Sequence, residues 1–171
     1  MVLVMKKILS IVTYSIFILV ASSIYSSCYA APSGLTSEQV SSEIEALKLF
    51  NQKMKIAFEL TKFISHALNT PYSNAETEQQ LISDLNRADD LLSKLLEREL
   101  PIPNTTIERK RIYMGCYSSL DDICISGKGL ANKIIDCRQN KTPENNKRCD
   151  EALLELYKNI NILKARFGTL S

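Results

Sequence analysis

Apolar residues recur at steps of three and four along four stretches of the chain. Such steps place side chains on one face of an α-helix. The longest stretch predicts a helix over residues 36–68, in which Thr36 and Gln39 fit a capping box. Its apolar face is formed by Val40, Ile44, Leu47, Phe50, Met54, Ala57, Ile64 and Leu68.

A short polar turn follows at residues 69–74, and the next apolar stripe predicts a second helix over 74–99. Ser73 and Glu76 fit another capping box at its start. A turn of this length is typical of two helices that lie side by side in opposite directions. The first two helices are therefore expected to form a long hairpin.

Two further helices are predicted over residues 118–138 and 143–167. The pattern of the third helix is the least regular, because Gly127 and Gly129 lower its helix propensity and are expected to weaken or divide it. The fourth helix begins with a Thr-Pro pair at 142–143, which suits an N-cap followed by the first helical residue.

Residues 100–117 are predicted to be irregular. Pro101 and Pro103 stiffen the start of this stretch, and the basic run 109–111 is typical of an exposed loop. The adjacent acids 121–122 would then favour the start of the third helix through its dipole. Since no strand-like alternation occurs, the predicted fold class is all-α, an antiparallel four-helix bundle.

The N-terminus has the three-part layout of a secretory signal. Two lysines precede an apolar run over residues 8–20, and small residues follow up to Ala30. We expect residues 1–30 to be removed as a signal peptide, which leaves 31–171 as a single helical domain. The alternatives are an uncleaved membrane anchor, for which the apolar run is short, and acylation at Cys28.

The two lysines of this leader account for the whole positive excess of the chain, because the remainder holds 19 basic and 19 acidic residues. A neutral domain has little electrostatic attraction for nucleic acid. We therefore expect no nucleic-acid partner and no stable membrane span after cleavage. The expected location is extracellular, or periplasmic in a bacterium.

Removal of the leader leaves four cysteines: Cys116, Cys124, Cys137 and Cys149. An even number suits disulfides in an oxidising compartment. We favour Cys137–Cys149 with Cys116–Cys124, which would clip the C-terminal helix pair; the main rival is Cys116–Cys149 with Cys124–Cys137. No C-x-x-C occurs, which disfavours a zinc site and thioredoxin-type chemistry.

No constellation of residues indicates catalysis. His66 is the only histidine, and its place beside the apolar stripe of the first helix indicates a surface residue rather than a member of a catalytic triad. We expect no metal and no cofactor, since neither metal-ligand spacing nor a glycine-rich phosphate loop occurs. Asn104 and Asn140 begin Asn-x-Thr sequons in predicted loops and are candidate glycosylation sites.

The first helix carries a second apolar row, formed by Leu49, Ile56, Leu60, Phe63 and Ala67, of which the first four are the candidate partner-binding residues. Its apolar arc is wider than one facing helix needs. Either this helix is central and covered on both sides, or the row contacts a protein partner or a second copy of the chain.

These features predict an exported helical protein without enzymatic activity, which acts by protein–protein interaction as an effector, an adhesin or a component of an envelope or secretion apparatus. One alternative is a carrier that holds a small apolar ligand in a cavity lined by Met54, Phe58 and Phe63. Another is an extracellular factor of the cytokine, venom or salivary type. Fold class alone does not choose among them.

Overall fold

The computed structural model describes residues 34–170, and over this range the chain forms four α-helices and no β-strand. They are α1 (Ser37–Asn69), α2 (Ala75–Glu97), α3 (Ile107–Gln139) and α4 (Pro143–Phe167). The predicted all-α class is confirmed. The predicted signal peptide, residues 1–30, lies outside the described residues, and so does Cys28. No helix in the described range is both long and apolar enough to cross a membrane.

The N-terminal caps of α1 and α4 are formed by the residues that the sequence predicts. The Gln39 N–H donates to the Thr36 hydroxyl at 3.3 Å, and the Thr36 N–H donates to the Gln39 side chain at 2.9 Å, so this capping box is confirmed. Thr142 accepts from the Asn145 N–H at 3.1 Å, and Pro143 is the first residue of α4. Each cap satisfies a backbone donor that has no partner within its helix.

The predicted capping box of Ser73 and Glu76 is wrong. Asn74 caps α2 instead, and its side-chain oxygen accepts from the Thr77 N–H at 2.9 Å. Ser73 lies one position earlier, and its backbone N–H donates to the Glu78 carboxylate at 3.4 Å. Asn and Ser cap helices about equally well, so local preference does not choose between neighbouring positions.

The third helix departs most from the prediction, since α3 begins at Ile107 rather than Ser118. Thr106 caps it by accepting from the Arg109 N–H at 3.4 Å. The basic run that begins at Arg109 is therefore helical and not a loop. The added turns bury Tyr113, which is 1% exposed, and such tertiary packing stabilises helices whose own propensity is modest.

The sequence suggested that two glycines weaken or divide the third helix, but α3 is continuous through both of them. A Cβ atom at Gly127 would lie 2.9 Å from Thr61 Cγ2 and 3.1 Å from Leu92 Cδ1, whereas one at Gly129 would meet open space. The missing side chain at Gly127 thus lets α1 and α2 approach α3 closely. Packing outweighs the propensity cost, which is about 1 kcal/mol for each glycine.

The central helix is α3, because it packs against each of α1, α2 and α4. Early residues of α3 meet late residues of α4, as the Arg166 guanidinium donates to the Gly115 carbonyl at 2.9 Å. The α1 and α4 helices meet through the stacked rings of Phe50 and Phe167, whose centroids are 5.7 Å apart. The most deeply buried side chains of the core include Phe50, Ile64, Leu85, Leu92, Leu120, Ile123, Leu130, Ile134, Leu156 and Leu163.

Candidate interaction groove

The connection between α2 and α3, residues 98–106, forms one wall of a groove on the bundle surface. Residues of α3 line the other side, and α1 and α2 contribute one residue each. We call it the connection groove; its volume is about 460 Å³. It is lined by Lys53, Leu96, Arg98, Glu99, Leu100, Ile102, Met114, Tyr117, Ser118, Asp121 and Asp122.

Hydrogen bonds hold the connection in place although it has no regular structure. The Lys53 ammonium donates to the Arg98 carbonyl at 3.1 Å, and the Tyr117 hydroxyl donates to the Pro101 carbonyl at 2.9 Å. Further along, the Asn104 N–H donates to the Ser42 hydroxyl at 2.8 Å. Burial raises the pKa of Tyr117 to about 12, so this phenol remains a donor at neutral pH. The groove wall is therefore pre-formed.

Lys53 is buried, with 3% of its surface exposed, and its ammonium also donates to the Asp121 carboxylate at 2.9 Å. A buried charge is costly unless an opposite charge and hydrogen bonds compensate it. Asp121 and Asp122 lie in the middle of α3, so the expectation that they favour the start of that helix is wrong. Instead, Asp121 ties α3 to α1 beside the groove.

Apolar side chains stand exposed along the groove and next to it. Ile102 is 53% exposed and Met114 is 54% exposed, and both line the groove. Ile107 and Ile125, at 66% and 57%, lie on the same stripe of α3 as Met114. Sequence reasoning missed this stripe because residues 100–117 were predicted to be irregular; a continuous helix through Met114 is the signal that reveals it.

A buried carboxylate closes the bundle at the end nearest the start of α3. Glu43 of α1 accepts from two guanidinium nitrogens of Arg109, each at 2.7 Å, and from the hydroxyls of Thr105 and Tyr113. Burial alone would raise the pKa of Glu43, but the hydrogen bonds from Arg109 and Thr105 outweigh it, and the pKa is lowered. Burial, together with the Glu43 charge, raises the pKa of Tyr113.

A buried arginine holds the opposite end. The Arg138 guanidinium of α3 donates to the Glu78 carboxylate of α2 at 2.6 and 2.7 Å, and to the Ala67 carbonyl at 3.1 Å. It also donates to the Thr70 carbonyl, beyond the end of α1. The hydrogen bonds from Arg138 lower the pKa of Glu78. One side chain therefore joins α1, α2 and α3.

The four cysteines of the described chain are unbridged in the structure, and three of the four predicted pairs are incompatible with the fold. Cys116 and Cys124 are both in α3, about 12 Å apart along its axis, which exceeds the reach of a disulfide, so Cys116–Cys124 is wrong. Cys124–Cys137 is wrong for the same reason. Cys116–Cys149 is also wrong, because Cys116 lies beside Arg166 at the other end of α4 from Cys149.

The remaining pair, Cys137 and Cys149, is different because the two thiols are neighbours. The Cys149 thiol is buried and lies near the Cys137 thiol, and the two are not bonded. Cys137 is partly exposed and donates from Sγ to the Asn146 side-chain oxygen at 2.8 Å. The pKa of Cys149 is raised to about 12, mainly by burial and to a lesser extent by the nearby Cys137. Cys137 also lines a second pocket of about 190 Å³.

The apolar row predicted on the first helix is divided between core and surface. Leu60 and Phe63 pack against the core and Leu49 is half-buried, whereas Ile56 is 42% exposed. Because α3 and not α1 is the central helix, one explanation offered for this row, a central α1, does not hold. The row and the connection groove are lined by different residues, so a partner contact at the row stays a prediction.

The threonines of both candidate glycosylation sequons cap helices. Thr106 caps α3, Thr142 caps α4, and Asn104 and Asn140 lie exposed just before these helices. Helix capping alone therefore accounts for the two threonines, and glycosylation of the sequons stays a prediction. His66 is exposed on α1, as expected.

Residues that the sequence offered for a ligand cavity are not gathered around either pocket. Met54 is buried in the core, and Phe58 and Phe63 pack against it. Between residues 34 and 170, no three or more His, Cys, Asp or Glu side chains are grouped as metal ligands would be. Comparisons with protein-family models, curated proteins and solved structures give no match to this chain.

Proposed function

We propose that this chain is an exported, non-enzymatic helical protein that binds a protein partner through the connection groove. The observation that carries the proposal is the exposure of Ile102 and Met114, each more than half open to solvent, at a groove of about 460 Å³. Exposed apolar side chains gathered around a pre-formed groove are typical of interaction sites.

A protein partner is favoured by the character of the groove. Arg98, Glu99 and Asp122 stand exposed around its apolar side chains and provide charges of both signs. Apolar contacts surrounded by polar and charged groups are characteristic of protein interfaces. Hydrogen bonds to α1 and α3 hold the connection that forms the wall, so little ordering would oppose binding.

Export is supported by the position of the first helix. The cap at Thr36 lies beyond the proposed cleavage after Ala30, so removal of the leader would leave α1 and the core that the described residues form in place. In the mature protein we propose an antiparallel bundle whose last two helices are clipped by one disulfide, Cys137–Cys149. Closing a loop of this length stabilises a protein by about 2–3 kcal/mol.

The test places a photo-crosslinking amino acid at Met114 and, as a matched control, at Leu154 of α4, which is 55% exposed. In the native host, we expect one discrete protein adduct from position 114 and none from position 154. Adding Ile102→Asp should reduce the adduct at least ten-fold, since a charge would enter the apolar contact. An adduct of twice the mass of the chain would identify a second copy as the partner. Equal labelling at the two positions would contradict the proposal.

A small apolar ligand is the second candidate occupant, because the groove volume lies in the range of ligand pockets and Leu96 and Leu100 line it. Native mass spectrometry of the purified protein distinguishes a small apolar ligand from a protein partner. A bound small molecule that is lost in Met114→Asp, without any protein adduct, would replace the partner proposal with a carrier.

A further inference from the structure

The two neighbouring thiols differ in their access to solvent. Cys137 is partly exposed and lines the 190 Å³ pocket, so a small reagent in solvent has access to this residue. Cys149 is 1% exposed and lies behind it. Cys116 and Cys124 are both 0% exposed and lie elsewhere in the core. A reagent from solvent can therefore reach only one of these four sulfurs directly.

We propose that Cys137 is a modification site that forms a mixed disulfide with a small disulfide such as oxidised glutathione, and that Cys149 then resolves it. This inference depends on the proposed function in one respect only: export would determine the compartment in which the oxidation occurs. The chemistry itself is independent of the connection groove, so failure of the crosslinking test leaves it standing, and the reverse also holds.

The steps balance as thiol–disulfide exchange. The Cys137 thiolate attacks one sulfur of the small disulfide, forms the mixed disulfide and releases one small thiolate. The Cys149 sulfur then attacks the Cys137 sulfur, forms the Cys137–Cys149 bond and releases the second. Two cysteine thiols are oxidised, one small disulfide is reduced to two thiols, and the protons of Cys137 and Cys149 end on these two products.

The order of attack follows from the surroundings of the two sulfurs. The thiolate is the nucleophile, and the pKa of Cys149, raised to about 12 by burial and by Cys137, keeps that thiol protonated at neutral pH. Cys149 lies one helical turn beyond Asn146, which accepts a hydrogen bond from the Cys137 thiol, so its place on α4 suits the second step, whereas its burial disfavours the first. Asn146, whose side-chain oxygen accepts from Cys137 at 2.8 Å, holds the exposed thiol in position.

The experiment exposes the purified, reduced protein to oxidised glutathione and follows it by intact mass and peptide mapping. Wild type should gain one Cys137–Cys149 bridge and keep no glutathione. Cys149→Ser should keep one glutathione on Cys137, while Cys137→Ser should react at least ten-fold more slowly. Cys116 and Cys124 should become alkylatable only after denaturation.

Asn146→Asp provides a variant that retains both thiols, so it does not depend on the serine variants folding. A carboxylate beside Cys137 disfavours the thiolate and should slow formation of the mixed disulfide several-fold. A first adduct on any cysteine other than Cys137, a lasting adduct in wild type, or an unchanged rate in Cys137→Ser would overturn the proposal. Circular dichroism of each variant verifies that it is folded.

Discussion

The two ends of α3 are each held by an arginine and a glutamate, but with opposite roles. At the start of the helix the carboxylate is central, since Glu43 collects donors from Arg109, Thr105 and Tyr113. At the other end the guanidinium is central, since Arg138 donates to Glu78 and to backbone carbonyls at the end of α1. The first arrangement orders the connection beside the groove, whereas the second closes a helix terminus.

This difference explains which features depend on which end. Thr105 belongs to the same connection as Ile102 of the groove wall, so Glu43 anchors the far end of the segment that forms that wall. Arg138 instead donates to the carbonyls of Ala67 and Thr70 at the end of α1, where Ala67 also accepts from the Thr70 N–H at 3.2 Å. We therefore expect one end to affect both stability and binding, and the other to affect stability alone.

The largest effect is expected from Arg138→Ala. It leaves the Glu78 carboxylate, whose side chain is 9% exposed, without its arginine partner and removes a donor from the Ala67 and Thr70 carbonyls. Breaking a buried pair in this way costs about 3–5 kcal/mol. Urea unfolding measures the loss, and photo-crosslinking at Met114, under conditions where the variant is folded, should be unchanged. A loss under 1 kcal/mol would contradict the central role given to this arginine.

Glu43→Ala should cost less, about 2–3 kcal/mol, because the Arg109 side chain is 21% exposed and can regain water. Unlike the change at Arg138, it should also reduce crosslinking at Met114, since the connection loses an anchor. The matched control is Glu144→Ala, which removes an exposed partner of Arg148 and should change stability by less than about 1 kcal/mol. Unchanged crosslinking in folded Glu43→Ala would separate this network from the groove.

The middle of α3 provides a smaller test that affects neither end. Gly127→Ala places a Cβ 2.9 Å from Thr61 Cγ2 and should destabilise the protein by about 1–2 kcal/mol, as overpacking exceeds the gain in helix propensity. Gly129→Ala meets open space and should stabilise it by about 0.5–1 kcal/mol. Thermal unfolding compares the two variants, and equal signs would refute close packing at Gly127.

The smallest expected effect is the loss of folding stability at acidic pH. The pKa values of Glu43 and Glu78 are lowered from 4.5 in the folded protein, so each contributes stability that is present above pH 4.5 and lost as pH falls through its folded pKa. Glu43→Gln should flatten this decline in part, and addition of Glu78→Gln should flatten it further. Unfolding free energies between pH 7 and pH 3 measure how steeply stability declines. An equally steep decline in the two variants and in wild type would show that other groups cause it.

Much of the local structure was predictable. The cap at Thr36 and the start at Thr142 follow from side chains within one turn of the backbone groups that they satisfy. The start of α3 was not, because Arg109 is read from sequence as part of an exposed basic run, while its partner Glu43 lies 66 positions earlier. The groove was missed with it, since Met114 becomes part of an exposed stripe only once the helix includes it.

The cysteines illustrate the same limit. The even number of cysteines and the predicted export favoured two disulfides. Cys116 and Cys124, however, are both buried in the same helix, α3, and lie too far apart along it to form one. Only the packing of α4 against α3 brings Cys149 beside Cys137.

The amino-acid sequence by itself determined that the described chain is helical, where most of its helices begin, and which faces are apolar, because helix periodicity and capping are local interactions. Tertiary structure alone decided that α3 is central, that Gly127 is a contact rather than a break, and that the exposed groove lies at the connection. Those outcomes depend on contacts between residues far apart in the chain, and composition and spacing do not record which surfaces meet.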